Sequence, residues 1–495
     1  MFFPRAMTAV AVVLSLSACT MVPDYFKPEV AAPAAWDSRD VGLGQWPDDS
    51  WWRSFGSSEL DRLIAAGREN NTDLRAAVAR IRQAEAQAKI AGAALYPTLS
   101  IDAGASRTRQ GTGSSTGSST GSSTGNRTIS SGRSDHTVRN SFSGTLTAGY
   151  QVDLFGANSA NANAALAQLE ANRFDRETVA ITLYADIAST YFTLLSMRDR
   201  IRLAEDTLRV AQEVLDLLER QRNFGISTDY EVAQQRSTVA SQRATVAGLR
   251  QTERQTLDAL AVLLGRNPQG FEVETQSLAS LTLPPVLAGL PSDLLLRRPD
   301  LRRAEASLRA ANFDIGAARA ARFPSLNLTA RAGTQAASTG MLLDPATMVY
   351  SIAASLTAPI FEGGRLEGGE ELSRARYDEL VESYRGAILS AFRDTEDALS
   401  ATGSSTQQYL YAQEAYDQAR EAYRIIEARF RAGTVDFLDL LDAQRTVFSA
   451  NDTLVQAMLA RFTAIVDLYL ALGGGWDGSV IGVENAGSTE TAQRP

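Results

Sequence analysis

The sequence predicts a mainly α protein with membrane β-structure, built as a duplicated helix–strand module. Three observations predict it: an internal repeat, four segments of period-two alternation, and two helical runs far longer than a globular helix. The repeat comes first, because it redefines the fold question. Phe224-Gly225-Ile226, followed by Glu231 and Val232, returns 208 residues later as Ala432-Gly433-Thr434, followed by Asp439 and Leu440. Leu264-Gly265 returns as Leu472-Gly473 at the same offset. Asp73-Leu74-Arg75 through Tyr96-Pro97-Thr98-Leu99 maps onto Asp300-Leu301-Arg302 through Phe323-Pro324-Ser325-Leu326 at an offset of 227. A Gly/Ser/Thr tract at about 111–125 accounts for most of the 19-residue difference. The unit is too long for a solenoid repeat.

The strands are read from alternation. Across 142–152 the even positions are Phe142, Gly144, Leu146, Ala148, Tyr150 and Val152, against small polar odd positions. Tyr350, Ile352, Ala354, Leu356, Ala358 and Ile360 repeat the pattern. The weaker partners lie at 99–105 and 326–332. The expected strands are about 98–107, 141–155, 325–333 and 348–361, forming two up-and-down hairpins. One apolar face and one small polar face over about 9–11 residues is the pattern of a membrane β-barrel. Four strands cannot close a barrel, and lipid does not tolerate an open edge. If these strands span a membrane, several chains must pool them.

The helices impose the second constraint. Residues 157–222 contain no Gly or Pro, 66 residues in all. At 1.5 Å per residue this is roughly 100 Å of helix, far beyond a usual globular helix. The second copy has the same length at 365–430, with Gly386 and Gly403 as soft points. Ile201, Ala204, Leu208, Ala211, Leu215 and Leu218 alternate spacings of three and four, as do Ala412, Tyr416, Ala419, Tyr423, Ile426 and Phe430. This is a coiled-coil seam. Return helices follow at 226–264 and 434–472. A short helix plus a return helix nearly equals one long helix, so the short and return helices should stack end to end. The expected shape is a tall cylinder with strands at one end and helical hairpins at the other.

The modules are therefore 57–265 and 300–474, joined by an equatorial connector at 266–299 and followed by a polar tail at 475–495. The N-terminus reads as an export signal over 1–18, with Arg5, an apolar 6–16 stretch and the run Leu16-Ser17-Ala18-Cys19. The apolar stretch is too short to span a bilayer. It resembles a bacterial lipoprotein signal, cut before Cys19, which would then carry a covalent lipid. Thr20 in place of Asp favours the outer membrane. Residues 19–56, with Pro23, Pro28, Pro33, Trp36, Trp46, Trp51 and Trp52, read as a lipid-anchored extended arm. Past residue 19, no segment is expected to approach a spanning apolar helix.

Composition excludes other classes. The chain has 495 residues, net charge −9, and 48 basic residues, of which only Lys27 and Lys89 are lysine. No dense basic block exists, so nucleic acid is not an expected partner. The single histidine, His136, is placed in the polar loop region. Cys19 is the only cysteine, which excludes an intrachain disulfide. No phosphate-binding glycine loop and no metal-ligand cluster is present, so neither an enzyme nor a metal site is expected.

Four motifs carry a family resemblance. They are Gly289-Leu290-Pro291-Ser292-Asp293-Leu294-Leu295 with Arg297-Arg298-Pro299-Asp300-Leu301, Val152-Asp153-Leu154-Phe155-Gly156, Leu441-Asp442-Ala443-Gln444-Arg445, and Ala471-Leu472-Gly473-Gly474-Gly475-Trp476. From Cys19 to about Trp476 the chain resembles the TolC-like outer-membrane factors, in their OprM/NodT-type efflux lipoprotein branch. The resemblance implies a homotrimer, with a 12-stranded β-barrel continued by a 12-helix periplasmic α-barrel. It implies a passive gated exit duct for small molecules in a tripartite pump. The implied partners are a periplasmic adaptor (membrane fusion protein), an inner-membrane transporter of RND type, and outer-membrane lipid. No cofactor is implied beyond the lipid on Cys19. The Gly/Ser/Thr tract departs from the family pattern and should lie outside the cell.

The resemblance also assigns the gate. Asp439 and Asp442 are three apart and share one helix face; on an ordinary surface helix they are simply solvated. In a closed three-fold tip they would make two rings of acids that repel one another and attract cations. Leu438 matches the apolar part of the constriction. Arg445 lies on the Asp442 face and could pair with it. Glu231 matches a family acid that ties the tip shut, although Val435 occupies the usual basic partner position. Phe430 matches an aromatic near the tip and is equally a seam residue. Gly225-Ile226 and Gly433-Thr434 are helix-capping turns, to which the family adds contact with the adaptor. Two other readings remain: a type I protein-secretion outer-membrane channel, and a structural trimeric coiled-coil envelope protein.

Overall fold

The computed structural model describes residues 20–37, 48–111, 136–285, 294 and 297–476. Cys19, most of the Gly/Ser/Thr tract, most of the Gly289–Leu295 motif and the tail beyond 476 lie outside the described residues. Seven helices run in chain order among the described residues: α1 Ser58–Asn70, α2 Thr72–Ala93, α3 Ala157–Asn223, α4 Asp229–Leu263, α5 Pro299–Ala320, α6 Arg365–Arg431 and α7 Phe437–Ala471. The strands are β1 Thr98–Gly111, β2 His136–Val152, β3 Ser325–Ala336 and β4 Met348–Thr357. Both long helices have 67 residues and both return helices have 35. Gly386 and Gly403 do not interrupt α6.

The chain forms two compact units, and each draws on both copies of the repeat. The first comprises the described residues within 1–25, 86–166 and 309–378; the second comprises those within 26–85, 167–308 and 379–495. In the first unit the strands form one antiparallel sheet in the order β1-β2-β3-β4. Each copy supplies a hairpin, and β2 pairs with β3 across the copies, from Phe142 opposite Ala336 to Val152 opposite Leu326. Registers bring Ile101, Leu146, Ala332 and Tyr350 into one row, and Leu99, Ala148, Ala330 and Ile352 into the next. Side chains alternate along strands, so these rows make one apolar face. That face is bare: Ile101, Tyr350 and Ile352 are each at least 80% exposed. Among the described residues, β1 and β4 have no partner on their outer edges. His136 is the first residue of β2, opposite Gly111, rather than part of a loop.

The arm's first described residues lie on this unit. Asn312 donates to the Pro23 carbonyl at 2.9 Å. Gly316 is required there, because a Cβ would fall 2.5 Å from Val22. Thr20 packs against Gly156, between β2 and α3.

In the second unit the end-to-end joins are visible in both copies. Asn71 caps α2, accepting from the Asp73 and Leu74 amides at 2.9 Å. Its Nδ2 donates to Leu263 O, at the end of α4, at 2.9 Å. In the second copy Arg298 Nη1 donates to Ala471 O, at the end of α7, at 3.1 Å. Orphan carbonyls at one helix end are thus satisfied by the start of the next. Gly265, at φ +64, abuts this join so closely that a Cβ would meet Asn70 O at 2.2 Å.

The main core gathers Phe55, Leu60, Ile64, Ile187, Tyr191, Phe192, Leu195, Leu260 and Phe462. Glu59 fastens the connector to it, accepting from the Glu274 and Thr275 amides at 2.6 and 2.9 Å. Burial opposes the charge there, but these hydrogen bonds with that of Tyr191 hold its carboxyl below the usual range. A second core packs Leu301, Tyr384, Ile388, Leu399, Leu468 and Leu472.

These cores correct one expectation. Two helices past residue 19, α3 and α7, are long and apolar enough by composition to cross a membrane. Much of the apolar stretch of α3 is buried within the chain, where Ile187, Tyr191, Phe192 and Leu195 line the main core. A helix apolar all round is what a core requires as well as what a bilayer requires.

Candidate functional site

The two helical hairpins of the second unit, α3–α4 and α6–α7, pack on one another at their turns. Ala211, Leu215 and Leu218 of α3, Val232 and Val239 of α4, and Phe437, Leu440 and Leu441 of α7 are buried in one cluster. Leu208, Tyr423, Ile426 and Phe430 are partly buried against it. The seam positions read from the sequence are therefore the positions that pack. Burial, then the nearby Glu427 carboxylate, pushes the Tyr423 phenol up to about 12.

Each turn is closed by glycine in the left-handed region. Gly225 and Gly433 both have φ +74. Ile226 N bonds Gln221 O at 2.9 Å and Thr434 N bonds Arg429 O at 3.0 Å. This is the Schellman arrangement, which satisfies the last carbonyls of the long helix. Three residues of turn and cap follow before the return helices begin at Asp229 and Phe437, later than the 226 and 434 read from the sequence. A Cβ on either glycine would meet nothing within 4 Å, so both turns stand clear of the chain.

The side chains differ between the turns. In the first copy Glu231 is the acid of a capping box. Its Oε2 accepts from Thr228 N at 2.6 Å, and Thr228 Oγ1 accepts from Glu231 N at 3.3 Å. Arg222 pairs with Asp229 at 3.7 Å. The apolar Phe224, Ile226 and Tyr230 are 81%, 72% and 67% exposed.

In the second copy Asp436 caps α7, accepting from Asp439 N at 3.0 Å. The side chains of Asp439, Asp442 and Arg445 are all exposed, on the face of α7 opposite Leu441, Gln444 and Val447. None of the three forms a hydrogen bond or ion pair through its side chain among the described residues. The pairing of Arg445 with Asp442 is thus absent from the chain. Leu438 is exposed beside them. Phe430 and Phe437, at the places of Arg222 and Asp229, turn into the cluster.

Sequence reasoning missed the capping box, although Thr228-x-x-Glu231 before a helix is its signature. It also missed Phe224 and Tyr230, whose apolar side chains interrupt a polar turn. Glu231, Gly225, Ile226, Gly433, Thr434, Leu438, Asp439, Asp442, Arg445 and Phe430 all fall at this one end of the second unit. Gln235 and Gln444 are buried in it too, and no spacing rule marked them.

A sheet with a bare apolar face and two open edges, in a chain of paired long helices with acids at a hairpin end, matches the fold of outer-membrane channels. The outer membrane efflux protein family model matches residues 63–266 and 290–474, and the chain belongs to that family. It is 39% identical over 479 residues to the pyoverdine export outer membrane protein OpmQ of Pseudomonas putida, covering 96% of this chain and 98% of that one. Among solved structures it is similar to the outer-membrane channel OprN, with TM-score 0.83, 27% identity and coverage of 92% and 100%. It is also similar to the open state of the Neisseria gonorrhoeae MtrE outer membrane channel, with TM-score 0.79, 30% identity and coverage of 92% and 98%.

Proposed function

We propose that the chain is the outer-membrane exit duct of a tripartite efflux pump, a passive channel gated at the hairpin end. The observation that carries the reading is the sheet: its apolar face is bare and both edges are open, so in lipid it must be completed by other copies. Three copies would give the twelve strands that the family resemblance implies, with Cys19 as the lipid anchor. Thr20 supports that anchor, because it is held beside Gly156 where β2 ends. The turns at Gly225-Ile226 and Gly433-Thr434 would meet a periplasmic adaptor, which joins the duct to an inner-membrane transporter of RND type.

The gate follows from exposure. Asp439 and Asp442 face away from the chain's own packing with no partner to neutralise them. Around a three-fold axis they form stacked rings of carboxylates, narrowed by Leu438. Such rings concentrate cations and repel anions. Glu231 takes no part, since its carboxylate is held by Thr228.

The test is single-channel conductance in a planar bilayer, wild type beside Asp439→Ala with Asp442→Ala. A small cation-selective conductance that loses selectivity in the double variant supports duct and gate together. Selectivity unchanged in the variant moves the gate elsewhere, and no conductance from folded protein overturns the duct. Among rival readings, the bare sheet leaves a purely structural coiled coil without a use for its strands.

A further inference from the structure

The ends of the sheet carry an aromatic contact that is made inside the chain and left unmade at the open edges. Its completion between copies rests on the several-copy barrel proposed above and adds the contact that seals it. Inside the chain, β2 pairs with β3, and just beyond the paired residues Phe155 stacks on Phe323. Their ring centroids are 4.8 Å apart, with planes at 29°. Phe155 follows β2 and Phe323 precedes β3, so this contact closes the β2–β3 junction at the helical end of the sheet.

The repeat supplies both rings again. Phe323 stands 227 residues after Tyr96, which precedes β1. Leu154-Phe155 before Gly156 and α3 matches Ile360-Phe361 before Gly363, Gly364 and α6. All three glycines have positive φ, at 77°, 59° and 85°. Yet Tyr96 and Phe361 do not meet within one chain. Tyr96 is 71% exposed, Ile360 97% and Phe361 89%. Their strands, β1 and β4, are the two open edges of the sheet.

Beside Tyr96 lies a cleft to receive them. Ala88, Lys89, Gly92, Leu95, Tyr96 and Leu166 line a space of about 470 Å³ between the end of α2 and the start of α3. Its wall is mostly apolar. Glu362 follows Phe361 and pairs with Arg365 at 2.6 Å; Lys89 lines the cleft.

We propose that Ile360 and Phe361 of each copy fill the α2/α3 cleft of the next copy, with Phe361 stacked on that copy's Tyr96. When β4 of one copy pairs antiparallel with β1 of its neighbour, the chain leaving β4 lies beside the chain entering β1. Barrel closure therefore delivers Phe361 to Tyr96 as β2–β3 pairing delivers Phe155 to Phe323. The intermolecular contact is the intramolecular one repeated.

The experiment uses the full chain in detergent, carrying Tyr96→Cys with Phe361→Cys. A short bis-maleimide, which forms a thioether with each of two thiols, is applied, and oligomer mass is measured separately by light scattering. The parent with Cys19 alone and each single variant are controls. The expected result is a trimer whose chains become covalently joined only in the double variant. A second measurement, on Phe361→Ala and Ile360→Ala, should show a trimer that dissociates at lower temperature. A trimer that does not cross-link, and whose alanine variants dissociate as the parent does, overturns the contact and leaves lipid as the cover of the cleft. A folded monomer overturns the barrel on which the proposal rests.

Discussion

The two helix–helix turns share one backbone and carry opposite chemistry. Both close with glycine at φ +74, the same Schellman bonds and a side-chain N-cap. At the first turn the charges are tied up and the apolar side chains face out. Glu231 is in a capping box, Arg222 is paired with Asp229, and Phe224, Ile226 and Tyr230 are exposed. At the second turn Phe430 and Phe437 face in, and Asp439 and Asp442 face out without partners. The difference shows what duplication left free to diverge. Backbone hydrogen bonding fixed the turn, and each outward face could then diverge, the first exposing apolar side chains and the second exposing carboxylates.

The largest effect should come from the charges. Removing Asp439 and Asp442 should reduce the cation-over-anion permeability ratio severalfold, whereas Glu231→Ala should leave it unchanged. Reversal potentials in a salt gradient read both. Equal losses from the two changes would break the comparison, because they would place a free carboxylate at each turn.

The next effect separates contact from conduction. Phe224→Ser with Ile226→Ser removes two exposed apolar side chains. Burying each against a partner is worth about 1.5–3 kcal/mol, so affinity for the cognate adaptor should fall by at least about tenfold. Single-channel conductance should not change. Polar changes at Ala432, the counterpart of Phe224, and Leu438, the counterpart of Tyr230, should cost less adaptor affinity. Binding measured by surface plasmon resonance on the detergent-purified channel distinguishes the two turns.

A smaller effect concerns stability. Glu231→Ala breaks a capping box and should cost about 1 kcal/mol. Asp439→Ala removes a carboxylate near a helix N-terminus with no box to break, worth about 0.3–1 kcal/mol. Chemical denaturation of the single variants orders them.

Much of this architecture was legible because large periodicities survive in sequence. A run without Gly or Pro from 157 to 222, carrying apolar residues at spacings of three and four, reads as one continued helix, and the structure ends it one residue later, at Asn223. Period-two alternation located all four strands, since a one-residue slip would bury the wrong face. The family resemblance, with the repeat, singled out residues that the structure brings together at one hairpin end. What stayed hidden depends on side-chain partners. Arg445 and Asp442 share a face by spacing, yet spacing does not make them pair. Arg298 reaching the Ala471 carbonyl joins residues 173 apart in sequence. The apolar run of α3 reads alike for core and bilayer, and only its packing against Phe55 and Phe462 shows which it serves.

The comparison is sharpened most by converting one turn into the other. Asp436→Thr with Asp439→Glu would give the second turn the Thr-x-x-Glu box of the first. The longer Glu side chain can reach back to the cap amide, as Glu231 does at 2.6 Å, whereas Asp439 makes no such bond. Two orphan donors would then be satisfied reciprocally in place of one. Stability should rise by a few tenths of a kcal/mol, on the order of one exposed helix-end interaction. The turn loses one negative charge, and the remaining carboxylate is drawn back onto the helix end. Cation selectivity should therefore drop, though less than in the double alanine variant, because Asp442 is untouched. A variant that gains stability yet keeps full selectivity would show that Asp442 alone sets the ionic face. A variant that loses both would show that the second turn cannot hold the box, and that the two backbones are less alike than their glycines suggest.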